Sequence, residues 1–275
     1  IMGSDGVGIV EAVHDVPESW IGQRVVLCPS LDWGDNPRFQ GPDYTILGNP
    51  RDGTFAEAIT LPVDNIVACP PHLTDAEAAA LPLAGLTAWR ALVTRGGLAE
   101  GERVLVTGIG GGVSCMGMQL ALGLGADVWV SSSSDEKLTA ARAMGATGGV
   151  RYDLEGWRAC AMHATDGFDL ILDGAGGPGV GELVRMLRFG GRFVFYGGTR
   201  GKWPQILPQH IFYRQVSLLA STMGSPEEFR EMVEFVKTHQ LHPRVDRIFP
   251  LSETGQALAH LNTGAQLGKV VVDVQ

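Results

Sequence analysis

Apolar positions fall along this chain in two alternating patterns. Val104 to Thr107 is a run of apolar or β-branched residues that breaks directly into the glycines of TGIGGGVS. Behind the glycines, Val113, Met116, Gly117, Leu120, Ala121 and Leu124 recur at the spacing of one helix face that ends near Gly125. The prediction is a buried strand, a glycine turn and a helix. A second run, Val128 to Val130, follows at once, and SSSSDEKL beyond it starts another helix with Ser133 as N-cap and Glu136 three places on. Strand, turn, helix and strand in this order make one βαβ unit. Four more runs, Val150 to Tyr152, Phe168 to Leu172, Arg192 to Tyr196 and Val216 to Ala220, extend the series into a parallel sheet.

The flanking stretches follow other rhythms. Val7 to Val13, Arg24 to Cys28 and Thr54 to Leu61 read as short strands, with a polar Gly, Pro, Asp and Asn loop from Pro29 to Gly53. Leu73 to Leu92 reads as helix, N-capped by Thr74 with Glu77 at the capping-box position, and Pro82 must break or kink it. Past the sheet, Pro226 to Thr238 and Ser252 to Leu261 are helical, and Lys269 to Val274 is a closing strand.

Composition narrows the function classes. A formal charge of -9 over 275 residues provides no basic footprint for nucleic acid or acidic membranes. No 18-residue apolar run crosses a bilayer. The four cysteines, Cys28, Cys69, Cys115 and Cys160, show no C-x-x-C spacing, which points to a reducing, cytoplasmic setting. Gly is about twice its usual ~7% share, in keeping with many tight turns. The chain opens at Ile1 inside a glycine-rich pattern, so a natural N-terminus upstream is expected.

The chemistry begins at the glycine turn. Bare N–H groups ahead of a helix suit a pyrophosphate, although the G-x-G-x-x-G pattern fits imperfectly, with Val113 in the third glycine's place after Gly108 and Gly110. Taken alone, the turn also reads as a glycine-rich hairpin. At the end of the second strand, Val130 is followed by four serines where an NAD site needs a carboxylate for the ribose 2′-hydroxyl. Hydroxyls from Ser132 and Ser133 and a cation from Lys137 would instead favour a 2′-phosphate, against the charges of Asp135 and Glu136. Lys137 by itself also reads as a solvated surface charge. Asp173 is either a base or a partner for turn N–H groups, and Cys115 either a stabilised thiolate or a small packing residue. Ser4, Thr87 and Tyr44 are possible proton donors, or plain turn and surface hydroxyls. The seven histidines lie in separate elements without zinc-ligand spacing.

GSDGVG from Gly3, GTFAEAITLP from Gly53, LPLAGLTAWRAL from Leu81, VLVTGIGGGVS from Val104, SSSSDEKL from Ser131 and LGKVVV from Leu267 stand in the order and spacing of one family. The chain resembles, over its whole length, the zinc-free, quinone oxidoreductase-like branch of the medium-chain dehydrogenase/reductase superfamily. The resemblance implies an α/β fold: a Rossmann doubly wound parallel sheet (87–222) and a GroES-like mixed-β catalytic domain built from residues 1–86 and 223–275. It implies that the family's first ~60 residues are missing from the N-terminal part. NADP(H) is the implied cofactor, with contacts from Thr87 at the nicotinamide end, Gly110, Gly111, Gly112 and Val113 in the turn, and Ser132, Ser133, Lys137 and Tyr152 at the adenosine end. Gly174, Gly197, Gly198 and Thr199 at the later strand ends complete the set.

No catalytic residue is assigned. No metal is expected, since zinc-using relatives place His where Ser4 stands and Cys where Leu83 stands, and Pro29 to Gly53 lacks the cysteines of a structural zinc lobe. The implied activity is hydride transfer from NADPH to a quinone, enone or aldehyde, with a non-catalytic NADP(H)-binding redox sensor or structural relative as the alternative. A homodimer through Val216 to Ala220 is the implied assembly.

Overall fold

The computed structural model describes residues 1–274 of the chain. Two units divide it: residues 1–86 with those from 223 onward, and residues 87–222. Short strands open the first unit: β1 (Val7–Ile9), β2 (Arg24–Leu27), β3 (Ser30–Leu31), β4 (Thr45–Leu47), β5 (Pro50–Arg51) and β6 (Ile66–Ala68). They make two three-stranded sheets, β1-β2-β6 and β3-β4-β5. The predicted strand from Val7 to Val13 stops at Ile9, because Val10 already closes the turn, its N–H donating to the Gln23 carbonyl at 3.0 Å. Thr54 to Leu61 is not a strand. The N–H groups of Gly53, Thr54 and Phe55 turn to the carbonyls of Ile1, Gly3 and Met2, an irregular pairing, and β6 takes the place beside β2. The stretch read as one polar loop carries β3, β4 and β5.

Helix α1 (Asp75–Ala80) starts at the predicted capping box: the Thr74 hydroxyl accepts the Glu77 N–H at 3.3 Å, and the Glu77 carboxylate accepts the Thr74 N–H at 2.9 Å. Pro82 ends it by starting a new helix, α2 (Pro82–Trp89), where a missing N–H costs nothing. A π-helical turn, Arg90–Arg95, follows.

The second unit is a single series: β7 (Arg103–Val106), α3 (Gly112–Gly123), β8 (Asp127–Ser132), α4 (Asp135–Ala143), β9 (Gly148–Arg151), α5 (Trp157–Thr165), β10 (Phe168–Asp173), α6 (Val180–Met186), β11 (Leu187–Phe195), α7 (Gln209–Phe212) and β12 (Ser217–Ala220). Its six strands are parallel in the order β12-β11-β10-β7-β8-β9. Val104 to Val106 and Leu170 to Leu172 are wholly buried, as strands covered on both faces must be, and this is why they read as unbroken apolar runs. Gly117 lets α3 lie close on the sheet: a Cβ there would stand 2.6 Å from a Leu172 methyl. The order reverses at β7, with β8 on one side and β10 on the other, so the carboxyl ends of β7 and β10 border the crevice where open α/β sheets bind ligands.

The chain returns to the first unit through α8 (Pro226–Thr238), β13 (Val245–Pro250), α9 (Thr254–Asn262) and β14 (Lys269–Asp273), with β13 and β14 paired in parallel. α8 buries Phe229, Met232, Val233 and Val236 on one face. Among the described residues, no helix is long and apolar enough to cross a membrane.

Candidate cofactor site

Backbone conformation sets the turn after β7. Gly108 has φ +62° and Gly110 φ +148°, values that side-chain-bearing residues rarely adopt, and open space lies where a Gly108 Cβ would be. The turn is tied to the end of β8: the Gly108 N–H donates to Ser131 Oγ at 3.2 Å and the Ile109 N–H to the Ser131 carbonyl at 2.8 Å. Ser114 Oγ braces it from the helix side, 2.9 Å from the carbonyls of Gly108 and Gly111. The N-cap of α3 is Gly111, which has no side chain to cap the first turn. Its N–H groups, beginning with Gly112 and Val113, are therefore left for an acceptor from outside the chain.

Next to it, Asp173 ends β10 almost fully buried, at 1% exposure. One carboxylate oxygen accepts the Thr107 hydroxyl at 2.6 Å and the other accepts the Gly176 N–H at 2.7 Å. Both oxygens are committed to holding strand ends together, which is the turn-partner role rather than that of a base. Glycines then make contact between loops. A Cβ on Gly197 would stand 2.6 Å from the Gly174 carbonyl, and one on Gly176 3.2 Å from the Gly198 Cα. Gly198 and Thr199 are exposed. Thr87 lies buried in α2, and Cys115 is buried in α3 as a packing residue.

Tyr196 was not singled out by the sequence reading. It follows β11, and its ring fills the space where a Gly174 side chain would be, 2.4 Å from that Cβ position. Burial pushes its hydroxyl up, the Asp173 charge adds to this, and Cys115 does so further. At neutral pH it is an intact O–H donor.

At the serine-rich end one correction is needed: β8 runs to Ser132, so α4 starts one residue later than predicted and its N-cap is Ser134, not Ser133. Ser134 Oγ accepts the Lys137 N–H at 3.2 Å and donates to the Glu136 carboxylate at 2.5 Å, which holds that carboxyl below its ordinary range. Ser132 is buried and accepts the Ser134 N–H at 3.1 Å, so it shapes the turn. Ser133 is exposed, and the Tyr152 hydroxyl donates to its Oγ at 3.3 Å. Lys137 is half-buried one turn into α4. Asp135 pairs with Arg151 at 2.6 Å, and Arg151 pairs again with Asp153 at 2.8 Å. The two acids that oppose a phosphate thus have partners of their own.

In the first unit, the Asp5 carboxylate accepts the Leu83 N–H at 2.5 Å and the Lys269 ammonium at 2.6 Å. Of the two positions where the resemblance places the metal ligands of zinc-using relatives, Ser4 and Leu83, the second donates its N–H to Asp5, and Asp5 is engaged on both sides. Ser4, Asp5 and Lys269 line a cavity of about 600 Å³. Tyr44 packs edge-on against Trp33 at 5.4 Å and reaches Ser30 Oγ at 3.5 Å, a structural placement. Structural partners also hold the histidines: His242 meets Glu77 and lies edge-on to His72 at 5.1 Å, His260 meets Asp246, and His239 stacks against the Phe235 ring. Among the described residues, no three His, Cys, Asp or Glu side chains are grouped as a metal would require.

Residues 1–71 match the alcohol dehydrogenase GroES-like domain, and residues 112–238 match the zinc-binding dehydrogenase family. The zinc-type alcohol dehydrogenase-like protein YogA of Leptosphaeria maculans is 36% identical over 99% of this chain and 82% of its own length. A crotonyl-CoA reductase of Streptomyces avermitilis is 27% identical over 99% of this chain and 67% of its own. Among solved structures, an NAD-dependent alcohol dehydrogenase superposes with a TM-score of 0.94 at 35% identity, over all of this chain and 83% of the other.

Proposed function

Because the chain belongs to the medium-chain dehydrogenase/reductase superfamily of oxidoreductases, with an alcohol dehydrogenase-like fold, we propose that it is an NADP(H)-dependent reductase of quinones, enones or aldehydes that works without zinc. The observation that carries this reading is the end of β8, where Ser133 is joined to Tyr152 and no carboxylate is left without a partner. The glycine cradle fits a dinucleotide: the first N–H groups of α3 lack an internal cap, and Gly108 and Gly198 leave open space. Gly110 to Val113 would hold the pyrophosphate, and Ser133, Lys137 and Tyr152 the adenosine 2′-phosphate. Gly198 leaves room at the later strand ends, where Thr199 is also exposed, Gly174 and Gly197 let the loops there pack closely, and Thr87 would meet the nicotinamide end. Ser132 acts on this site through the turn it braces.

When bound, the cofactor supplies the hydride. The chain's own part is to orient it along the glycine cradle and the strand ends. The zinc-free reading rests on Ser4, Leu83 and the engaged Asp5. Elemental analysis of chelator-washed protein is expected to find no stoichiometric zinc, and one tightly held zinc per chain with activity following it would refute this part.

The solved relative described as NAD-dependent favours the other cofactor. Steady-state oxidation of NADPH and of NADH, with panels of quinones, enones and aldehydes, tests the whole reading. Turnover with NADPH at the higher kcat/KM is the expected result. A tight NADPH complex that turns over none of the panel would point to a non-catalytic binding protein instead.

A further inference from the structure

We propose that Arg200, on the loop after β11, is a specificity-determining residue that reads the adenosine 2′-phosphate together with Ser133 and Tyr152. The inference rests on the NADP(H) reading above and extends it to a residue remote in sequence from that end of the site. Arg200 places its guanidinium carbon 5.6 Å from the centroid of the Tyr152 ring, whose hydroxyl is 3.3 Å from Ser133 Oγ. Three strand ends, those of β8, β9 and β11, thereby supply one cluster of a hydroxyl, a ring and a cation.

The position is built into the backbone. The Arg200 N–H donates to the Ala175 carbonyl at 2.8 Å, the Gly201 N–H to Gly198 at 3.0 Å, and the Gly177 N–H to Gly201 at 3.1 Å. Gly177, at φ +71°, is needed for this, since a Cβ there would stand 2.7 Å from the Arg200 Cβ. The loop is pinned to the turn after β10, and the side chain projects from a fixed base.

Charge selects Arg200 over its neighbour. Arg151 lies closer to Tyr152 in sequence but is bracketed by Asp135 and Asp153. Among the described residues, Arg200 makes no ion pair with a carboxylate, and it is exposed. A guanidinium lying over a ring keeps its five N–H donors in its own plane, so their edge remains available to a phosphate in a two-pronged contact. The anion that a dinucleotide brings to the end of the second strand is the one on its adenosine ribose. NADPH has a phosphate there and NADH a hydroxyl.

Calorimetric titration of NADPH and NADH against the parent protein, Arg200→Ala and Arg200→Lys tests this without catalysis. Arg200→Ala is expected to weaken NADPH binding by roughly 10- to 100-fold, the loss of one charge-assisted contact, and to leave NADH within about twofold. Arg200→Lys is expected to recover part of the loss, because it keeps the charge but not the fork. Adenosine 2′-monophosphate should compete with NADPH on the parent and lose that ability in Arg200→Ala, whereas adenosine 5′-monophosphate should compete equally on both. The unchanged NADH affinity reports that the variant is folded. A parent that prefers NADPH while Arg200→Ala keeps the same preference overturns the assignment of Arg200 alone, as do equal losses for both cofactors. A parent that binds NADPH no better than NADH overturns the cofactor reading and this inference together.

Discussion

Removing the Asp173 carboxylate would leave the Gly176 N–H buried without its acceptor and the Thr107 hydroxyl with only the longer contact to the Leu172 carbonyl, at 3.3 Å. Asp173→Ala is therefore expected to destabilise the second unit by about 3 kcal/mol, and Asp173→Asn by less, as a fall in the urea midpoint at unchanged slope. Lys137 is tested by its own selectivity: Lys137→Ala should weaken NADPH by roughly 10- to 100-fold and leave NADH nearly unchanged, and equal losses would show that it does not read the phosphate. The cysteines separate by burial. Cys160 is exposed and should react with a thiol reagent in the native protein, while Cys28, whose thiol burial pushes up to about 12, should react only on unfolding. A neutral buried thiol favours the folded state at neutral pH. That contribution falls as pH rises from the unfolded thiol's ~8.5 toward 12, so native-state labelling of Cys28 at pH 8 would contradict it. The turn role of Asp173 was legible in sequence because a strand-end Asp followed by glycines has local donors. Tyr196 and Arg200 were not, since each acts on residues from another strand end and nothing in their own neighbourhood marks those partners.

Helix starts were legible where a side chain makes them. Thr74 and Ser225 both head capping boxes, but Thr74 is exposed whereas Ser225 and Glu228 are buried, at 5% and 7% exposure. Thr74→Ala should cost about 1 kcal/mol and Ser225→Ala measurably more, because water replaces the lost contact only in the first. Equal losses in thermal unfolding would count against the distinction. Where glycine starts the helix no such mark exists: α5 begins after Gly156 in the left-handed region and α6 after Gly179, and neither was foreseen. β13 was hidden too, its Asp246 and Arg247 interrupting any apolar run. Ser133 and Ser134 were confused because adjacent serines offer the same cap, and only the length of β8 decides between them. β12, by contrast, stands at the edge of its sheet, where the Arg95 guanidinium takes the Ala220 carbonyl at 2.8 Å and the preceding backbone groups face no further strand among the described residues. Twofold pairing through Val216 to Ala220 is the expected result, giving twice the 29.3 kDa chain mass in light scattering, and a single chain mass at micromolar concentration would exclude it.

The second unit is one continuous stretch of chain, whereas the first is drawn from both ends. Its central strands β7 and β10 could be read in sequence because Val104 to Val106 and Leu170 to Leu172 are buried on both faces; the irregular contacts of residues 53–55 with residues 1–3 could not, because they follow no periodicity. The Asp5 carboxylate joins Leu83 to Lys269, partners 78 and 264 positions away. This arrangement has a consequence in time. A ribosome adds ~5–20 residues per second, so the nucleotide unit can close while the rest is being made, but the opening segment waits on the order of tens of seconds for Lys269 and β14 to emerge. During that interval the first unit lacks its closing strand and the Asp5–Lys269 ion pair, and newly made chains are most exposed to proteases and most dependent on holding chaperones in the residues ahead of the nucleotide unit.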